Sequence, residues 1–178
     1  MNSPGRHAVL PAHLRADCAA CTGLCCVVPP FDALQGFGFD KPAHTPCPHL
    51  CGDFSCGIHA DLVDRGFRGC TVFDCHGAGQ RVSQQLFPGQ DWRDSAATAQ
   101  QMFAAYELMR GLHDMMALLY TASVHVDDAR LMAQLDAIER QCERTPPDAI
   151  DAAELKRTTM LLLADPAIRG ALQALRKD

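Results

Sequence analysis

Nine cysteines between residues 18 and 75 carry whatever metal or redox chemistry this chain has. They run Cys18-x2-Cys21-x3-Cys25-Cys26, then Cys47-x3-Cys51-x4-Cys56, then Cys70-x4-Cys75. Thiolates two or three residues apart can close on one metal, because a tight turn between them points both sulfurs inward. Tetrahedral zinc takes four such ligands at about 2.3 Å, and iron–sulfur clusters use the same donor. Gly52 and Gly57 follow Cys51 and Cys56, a placing that lets backbone N–H groups turn toward a bound sulfur. Pro46 and Pro48 stiffen the loop on either side of Cys47. The adjacent pair Cys25–Cys26 resists a one-site reading, since neighbouring side chains in extended backbone point apart. Either one binds and the other packs, or two metals or a cluster lie close together. Nine thiols exceed one four-ligand site and fit two, with one to spare.

Disulfides, or thiols packed as small hydrophobes, are the competing uses of these residues. The start of the chain has no apolar stretch of signal-peptide length, and no run of 18 apolar residues occurs. The expectation is a soluble, cytoplasmic protein without a membrane partner. Thiols there stay reduced, and a dense cysteine pattern binds metal more often than it pairs. The net charge of -5, with Lys and Arg scattered, leaves no basic footprint for nucleic acid. The expected partner is a metal ion, zinc or iron, with an iron–sulfur cluster also compatible. A protein partner is left unidentified.

Other chemistry-bearing residues point less clearly. His44, His49, His59 and His76 fall near cysteines but read as loop histidines, with His76, directly after Cys75, the best candidate for a mixed site. "HGAGQ" (76–80) reads as a turn rather than a phosphate loop. No G-x-S-x-G or H-E-x-x-H occurs, and Asp53, Asp61, Asp64 and Asp74 show no catalytic pairing. No catalytic residue is assigned, and the chain reads as a binding protein more readily than as an enzyme.

The elements that must position the thiols change character near residue 90. The first ninety residues hold nine of ten Cys, eleven of thirteen Gly, eight of eleven Pro and seven of eight Phe. Gly and Pro break backbone into turns, so this half is expected to be loop-rich and in need of staples. Its candidate core is Val27, Val28, Phe31, Phe37, Phe39, Phe54, Ile58, Phe67, Val72 and Phe73. A short helix is predicted over 58–65 with Gly66 as C-cap, and a β-ribbon around 71–73. Beyond it, Met102, Tyr106, Met109, His113, Met116 and Tyr120 recur at helical steps within 95–121. Leu131, Leu135, Ile138 and Cys142 mark a second helix over 127–144, with Cys142 a core residue. Thr145-Pro146-Pro147 stops it, a third helix is predicted over 148–163, and Asp165-Pro166 starts a fourth ending near Leu175. The fold class is therefore mainly α, a loop-rich cysteine module (14–90) packed on a small antiparallel helical bundle (91–178).

"CAACTGLCC", "DKPAHTPCPHL", "FSCGIH" and "GCTVFDC" together resemble the zinc- or iron-chelating CxxCxxCC (YkgJ-type) family. That resemblance implies Cys18, Cys21, Cys25, Cys26, Cys47, Cys56 and Cys70 as ligands. The first cluster has three residues rather than two before the Cys pair, and Cys51 and Cys75 are additional to the pattern. "LRADCAACTGLCC", "GFRGCTVFDCHGAGQRVSQ" and "DWR" are also similar to the cysteine-rich segment preceding the repeats in some pentapeptide-repeat-containing bacterial proteins. The A-(D/N)-L-x-x repeats themselves are absent, so their solenoid is not implied. Three functions remain open at this level: a metal- or cluster-carrying binding protein, a cluster-dependent redox enzyme, and an interaction module stabilised by metal.

Overall fold

The computed structural model describes residues 10–143 and 151–174. These are mainly α-helical, and their strand pairing is limited to isolated antiparallel bridges, Phe31 with Lys41 and Leu50 with Cys56. The chain divides into two compact units. Residues 16–110 form one, and residues 10–15 with the described residues from 111 onward form the other.

The first unit is built from short pieces. Helices α1 (Leu24–Val27), α2 (Arg68–Val72) and α3 (Ala78–Arg81) are each about one turn, and α3 runs into a π-helical turn, Val82–Leu86. Three-residue 3-10 turns sit at Cys18–Ala20, Ala33–Gln35 and His59–Asp61, the first two capped by the carboxylates of Asp17 and Asp32. The long helix α4 (Ala96–His125) supplies its first half here, burying Met102, Tyr106 and Met109 along the predicted stripe. Leu24, Val27, Val28, Phe31, Ile58 and Phe67 are buried, whereas Phe37, Phe39, Phe54 and Phe73 are half-buried.

Two expectations for this half need correction. The stretch 58–65 is a 3-10 turn followed by irregular turns, not an α-helix. Phe67 N–H donates to Leu62 O at 2.7 Å, and this curls the segment so that Ile58, Leu62 and Phe67 meet in one apolar cluster. The expected ribbon at 71–73 is instead the end of α2. Thr71 Oγ1 donates to Arg68 O, and Val72 is 83% exposed, so neither β-branched side chain has a cross-strand surface to pack on. "HGAGQ" likewise opens α3 rather than serving only as a turn, with Gly77 at φ 81 as its N-cap.

The second unit follows the sequence pattern closely. It contains the rest of α4, then α5 (Ala129–Cys142), α6 (Ala152–Leu163) and α7 (Pro166–Ala174). Asp128, Asp151 and Asp165 accept the N–H groups of Arg130, Glu154 and Ala167, which terminates each helix at its start. Leu131, Leu135, Ile138 and Cys142 are all buried, as are His113 and Met116. Gln134 Nε2 donates to Thr159 Oγ1 at 3.0 Å and ties α5 to α6. The proline stop at 145–147, the predicted helix start at 148 and Leu175 lie outside the described residues. No helix among the described residues is long and apolar enough to cross a membrane.

Candidate metal centre

The cysteine loops are held by side chains from the segment that follows them. Gln84 Nε2 donates to Ala20 O at 3.0 Å, Trp92 Nε1 to Thr22 O at 2.8 Å, and Ser83 Oγ accepts Thr22 N–H at 3.0 Å. Gln80 accepts the Asp17 N–H. Arg93 does the same for the second loop: its guanidinium donates to Gly52 O at 2.7 Å and Cys51 O at 3.0 Å while lying over the Phe54 and Trp92 rings. "QRVSQ" and "DWR" thus act as clamps on Cys18–Thr22 and Cys51–Phe54. Sequence reasoning did not give these residues a role. No disulfide joins any of the nine cysteines.

One set of thiols collects around α3. A Cβ placed on Gly79 would meet Cys21 Sγ at 2.6 Å and Cys75 Sγ at 3.8 Å, so both sulfurs border the space that glycine leaves open. The N–H groups of Leu24 and Gly23 point at the Cys21 sulfur, joined by the Ser83 hydroxyl, and those of Gly79 and Gly77 point at Cys75. Cys18 and Cys25 complete the set. Burial, followed by the sulfurs of Cys75 and Cys21, pushes the Cys18 thiol up. The π-helical turn that brings Ser83 to Cys21 is the kind of irregularity that recurs at functional sites.

A second set surrounds Cys47. Its N–H donates to Cys26 O at 2.9 Å, and the Leu50–Cys56 bridge lays the Cys56 segment beside it. Cys56 and Cys70 both pack on the Ile58–Leu62–Phe67 cluster. His49 N–H points at Cys47 and Ile58 N–H at Cys56. Burial pushes the Cys70 thiol up to about 11, reinforced by Cys26, Cys47 and Cys56. The Cys51 sulfur lies 3.0 Å from where a Gly57 Cβ would stand, and it adds to the rise of the Cys56 thiol, after burial and Cys26. Gly57 therefore permits a close approach of the Cys51 sulfur, whereas Gly52 meets nothing within 4 Å. Most of the N–H groups aimed at sulfur come from residues two or more positions after the cysteine, with Cys75's own N–H the exception.

Cys25 and Cys26 divide between the sets. Their sulfurs are 4.0 Å apart. The contact with Cys26, with burial, holds the Cys25 thiol well above the usual range. Cys26 is lowered by that contact and by the Lys41 ammonium, against its burial. Cys26 borders both sets, since its charge also raises Cys18.

The donor chemistry suits a thiolate-bound metal. Four sulfurs already receive backbone N–H groups, and a glycine clears space between two of them. Among the described residues no three Cys, His or acidic side chains are close enough to grip one ion. His44 stacks on Phe103 and meets Glu107 at 3.0 Å, and His49 packs edge-on against Phe67. The backbone N–H of His76 donates to Asp74 Oδ1 at 2.7 Å, its ring Nδ1 stands 3.7 Å from the same oxygen, and His59 is exposed.

Gly79→Ala tests the first set directly. Within a helix, alanine favours folding by about 1 kcal/mol over glycine. Here the new methyl overlaps Cys21 Sγ, a strain of about 1–3 kcal/mol. The expected result is a net loss in thermal stability and in metal bound, opposite in sign to the propensity effect.

No family model matches the chain, and no solved structure matches it. It is 45% identical over 132 residues to the uncharacterized protein YybG of Bacillus subtilis (strain 168), an alignment covering 71% of this chain and 47% of that one. The chain thus spans about half the length of the curated relative it matches.

Proposed function

We propose that this chain is a metal-binding protein that holds zinc or iron in two thiolate centres, Cys18/Cys21/Cys25/Cys75 and Cys26/Cys47/Cys56/Cys70, with Cys51 outside both. The observation that supports this reading is that Cys21 and Cys75 both border Gly79, while Cys56 and Cys70 share the Ile58–Leu62–Phe67 cluster and Cys47 N–H donates to Cys26 O. Once bound, the metal supplies cross-links between segments that otherwise share few hydrogen bonds. The chain's own residues orient the sulfurs: N–H groups from residues 23, 24, 49, 58, 77 and 79 stabilise thiolates, and Trp92 and Arg93 fix the loops. This reading agrees with the resemblance to the CxxCxxCC family and adds Cys75 to its ligand set.

Elemental and sulfide analysis of protein purified without oxygen, with single Cys→Ser variants, tests it. Cys21→Ser and Cys47→Ser should each lose one centre, and Cys51→Ser should keep both. Stoichiometric zinc without sulfide assigns mononuclear sites, and iron with sulfide assigns clusters. Metal-free protein with paired cysteines would overturn the proposal.

A further inference from the structure

The first two cysteine loops are fastened to each other, and the fastening is made by two adjacent residues. The Trp92 indole N–H donates to Thr22 O at 2.8 Å, while the Arg93 guanidinium donates to Gly52 O at 2.7 Å and Cys51 O at 3.0 Å. Arg93 also lies 4.1 Å over the Phe54 ring, which meets the Trp92 ring edge-on at 6.1 Å. Gly23 is the point where the loops touch. A Cβ there would stand 2.7 Å from Leu50 Cδ1 and 3.2 Å from Phe54 O, so nothing larger than glycine fits between them. Phe54 has a left-handed φ of 66°, which a bulky residue keeps only where its surroundings hold it. Farther along, Cys47 N–H donates to Cys26 O at 2.9 Å, and the Cys25 and Cys26 sulfurs lie 4.0 Å apart on α1. Ordering either loop therefore orders the other.

We propose that the two centres load as a coupled pair, with Trp92 and Arg93 the positioning residues that join them. This rests on the metal-binding reading above. An ion in the first centre fixes 18–25 and, through Trp92, Arg93 and Gly23, the place of 51–54. The second ion then meets a loop already ordered, and its binding costs less conformational entropy. Coupling between sites is typically about 5–150-fold and is reciprocal, so each ion raises the affinity for the other by the same factor. Repulsion between two thiolate-rich centres acts the other way. The Lys41 ammonium, 3.1 Å from the carbonyl of Val27 beside Cys26, offsets part of it.

Native mass spectrometry of the full chain, titrated with zinc, reads this coupling. Wild type should pass from metal-free to two-zinc protein with little one-zinc protein between. Arg93→Lys keeps the charge but loses the planar fork on two carbonyls, and Trp92→Phe keeps a ring but loses the N–H. In each, one-zinc protein should accumulate, although every thiol is present and two ions still bind at saturation. A second measurement needs neither variant. The binding constants of the single centres left in Cys21→Ser and Cys47→Ser, multiplied together, should fall short of the wild-type two-zinc constant by about 5–150-fold. A wild type that accumulates one-zinc protein, or whose two-zinc constant does not exceed that product, would overturn the coupling while leaving two centres in place. Arg93→Lys and Trp92→Phe proteins that load like wild type would overturn the role of these two residues. A wild type that takes up neither zinc nor ferrous iron would overturn both readings.

Discussion

Stripping metal with a chelator is expected to unfold most of residues 16–95 and to leave α5 and α6 folded. The helices α1, α2 and α3 have four, five and four residues. Isolated helices below about 12–15 residues are marginal in water, so these pieces persist only through tertiary ties. The thiol-bearing segments are tied by two isolated bridges, a few side-chain clamps and a modest set of buried apolar side chains, which is little against the entropy of ordering them. A structural zinc site supplies on the order of 10–16 kcal/mol in small peptides, as much as the whole stability of an ordinary domain. By contrast α5 and α6 have 14 and 12 residues, a capping aspartate each, and a buried stripe on α5. Hydrogen exchange should show amide protection collapsing across 18–75 on chelation, with protection across 129–142 and 152–163 retained. Protection across 18–75 that survives complete metal removal would show that the metal does not hold this unit together.

The helical half was legible in the sequence because its signals are local. A 3.6-residue stripe from Met102 to Met116, and the Asp165-Pro166 start of α7, need no knowledge of what lies across the fold. The cysteine half yields its ligand types in the same way but not their grouping. Cys70 and Cys75 are five residues apart, yet Cys70 packs with Cys56 on the apolar cluster while Cys75 meets Cys21 across Gly79. Which loops meet is decided by long-range clamps such as Trp92 to Thr22 and Arg93 to Cys51, and spacing carries no trace of these. The ribbon expected at 71–73 failed for a related reason. Thr71 and Val72 have strand propensity, but propensity acts only where a partner strand offers a surface.

Lys41→Met should be the most damaging single substitution that leaves every thiol in place. Lys41 is 4% exposed, and its ammonium donates to Val27 O at 3.1 Å, Pro29 O at 2.8 Å and Pro42 O at 3.1 Å, using all three protons. It also stands 4.6 Å over the Phe31 ring, and a backbone bridge to Phe31 fixes its place. Burial lowers its pKa, and the Cys47 and Cys26 thiols oppose that. Hydrogen bonds to a charged donor contribute about 1.5–3 kcal/mol each, and orphaned acceptors cost about 1–3 kcal/mol each. Against these stands the several-kcal/mol penalty of burying an ion. Methionine keeps the length of the stem, removes that penalty, and strands three carbonyls. The balance predicts a loss of about 3–5 kcal/mol, seen as a drop of at least about 10 °C in thermal midpoint for a unit of this size. Arginine should not rescue it, because a planar fork cannot donate to three carbonyls converging on one point. The ammonium also favours the thiolate of Cys26 and faces Cys47. Chelator competition should therefore show the second centre weakened more than the first. Equal weakening of both centres would mean that Lys41 acts through the fold alone. A variant within about 0.5 kcal/mol of wild type would mean that desolvation already cancels all that its three hydrogen bonds contribute.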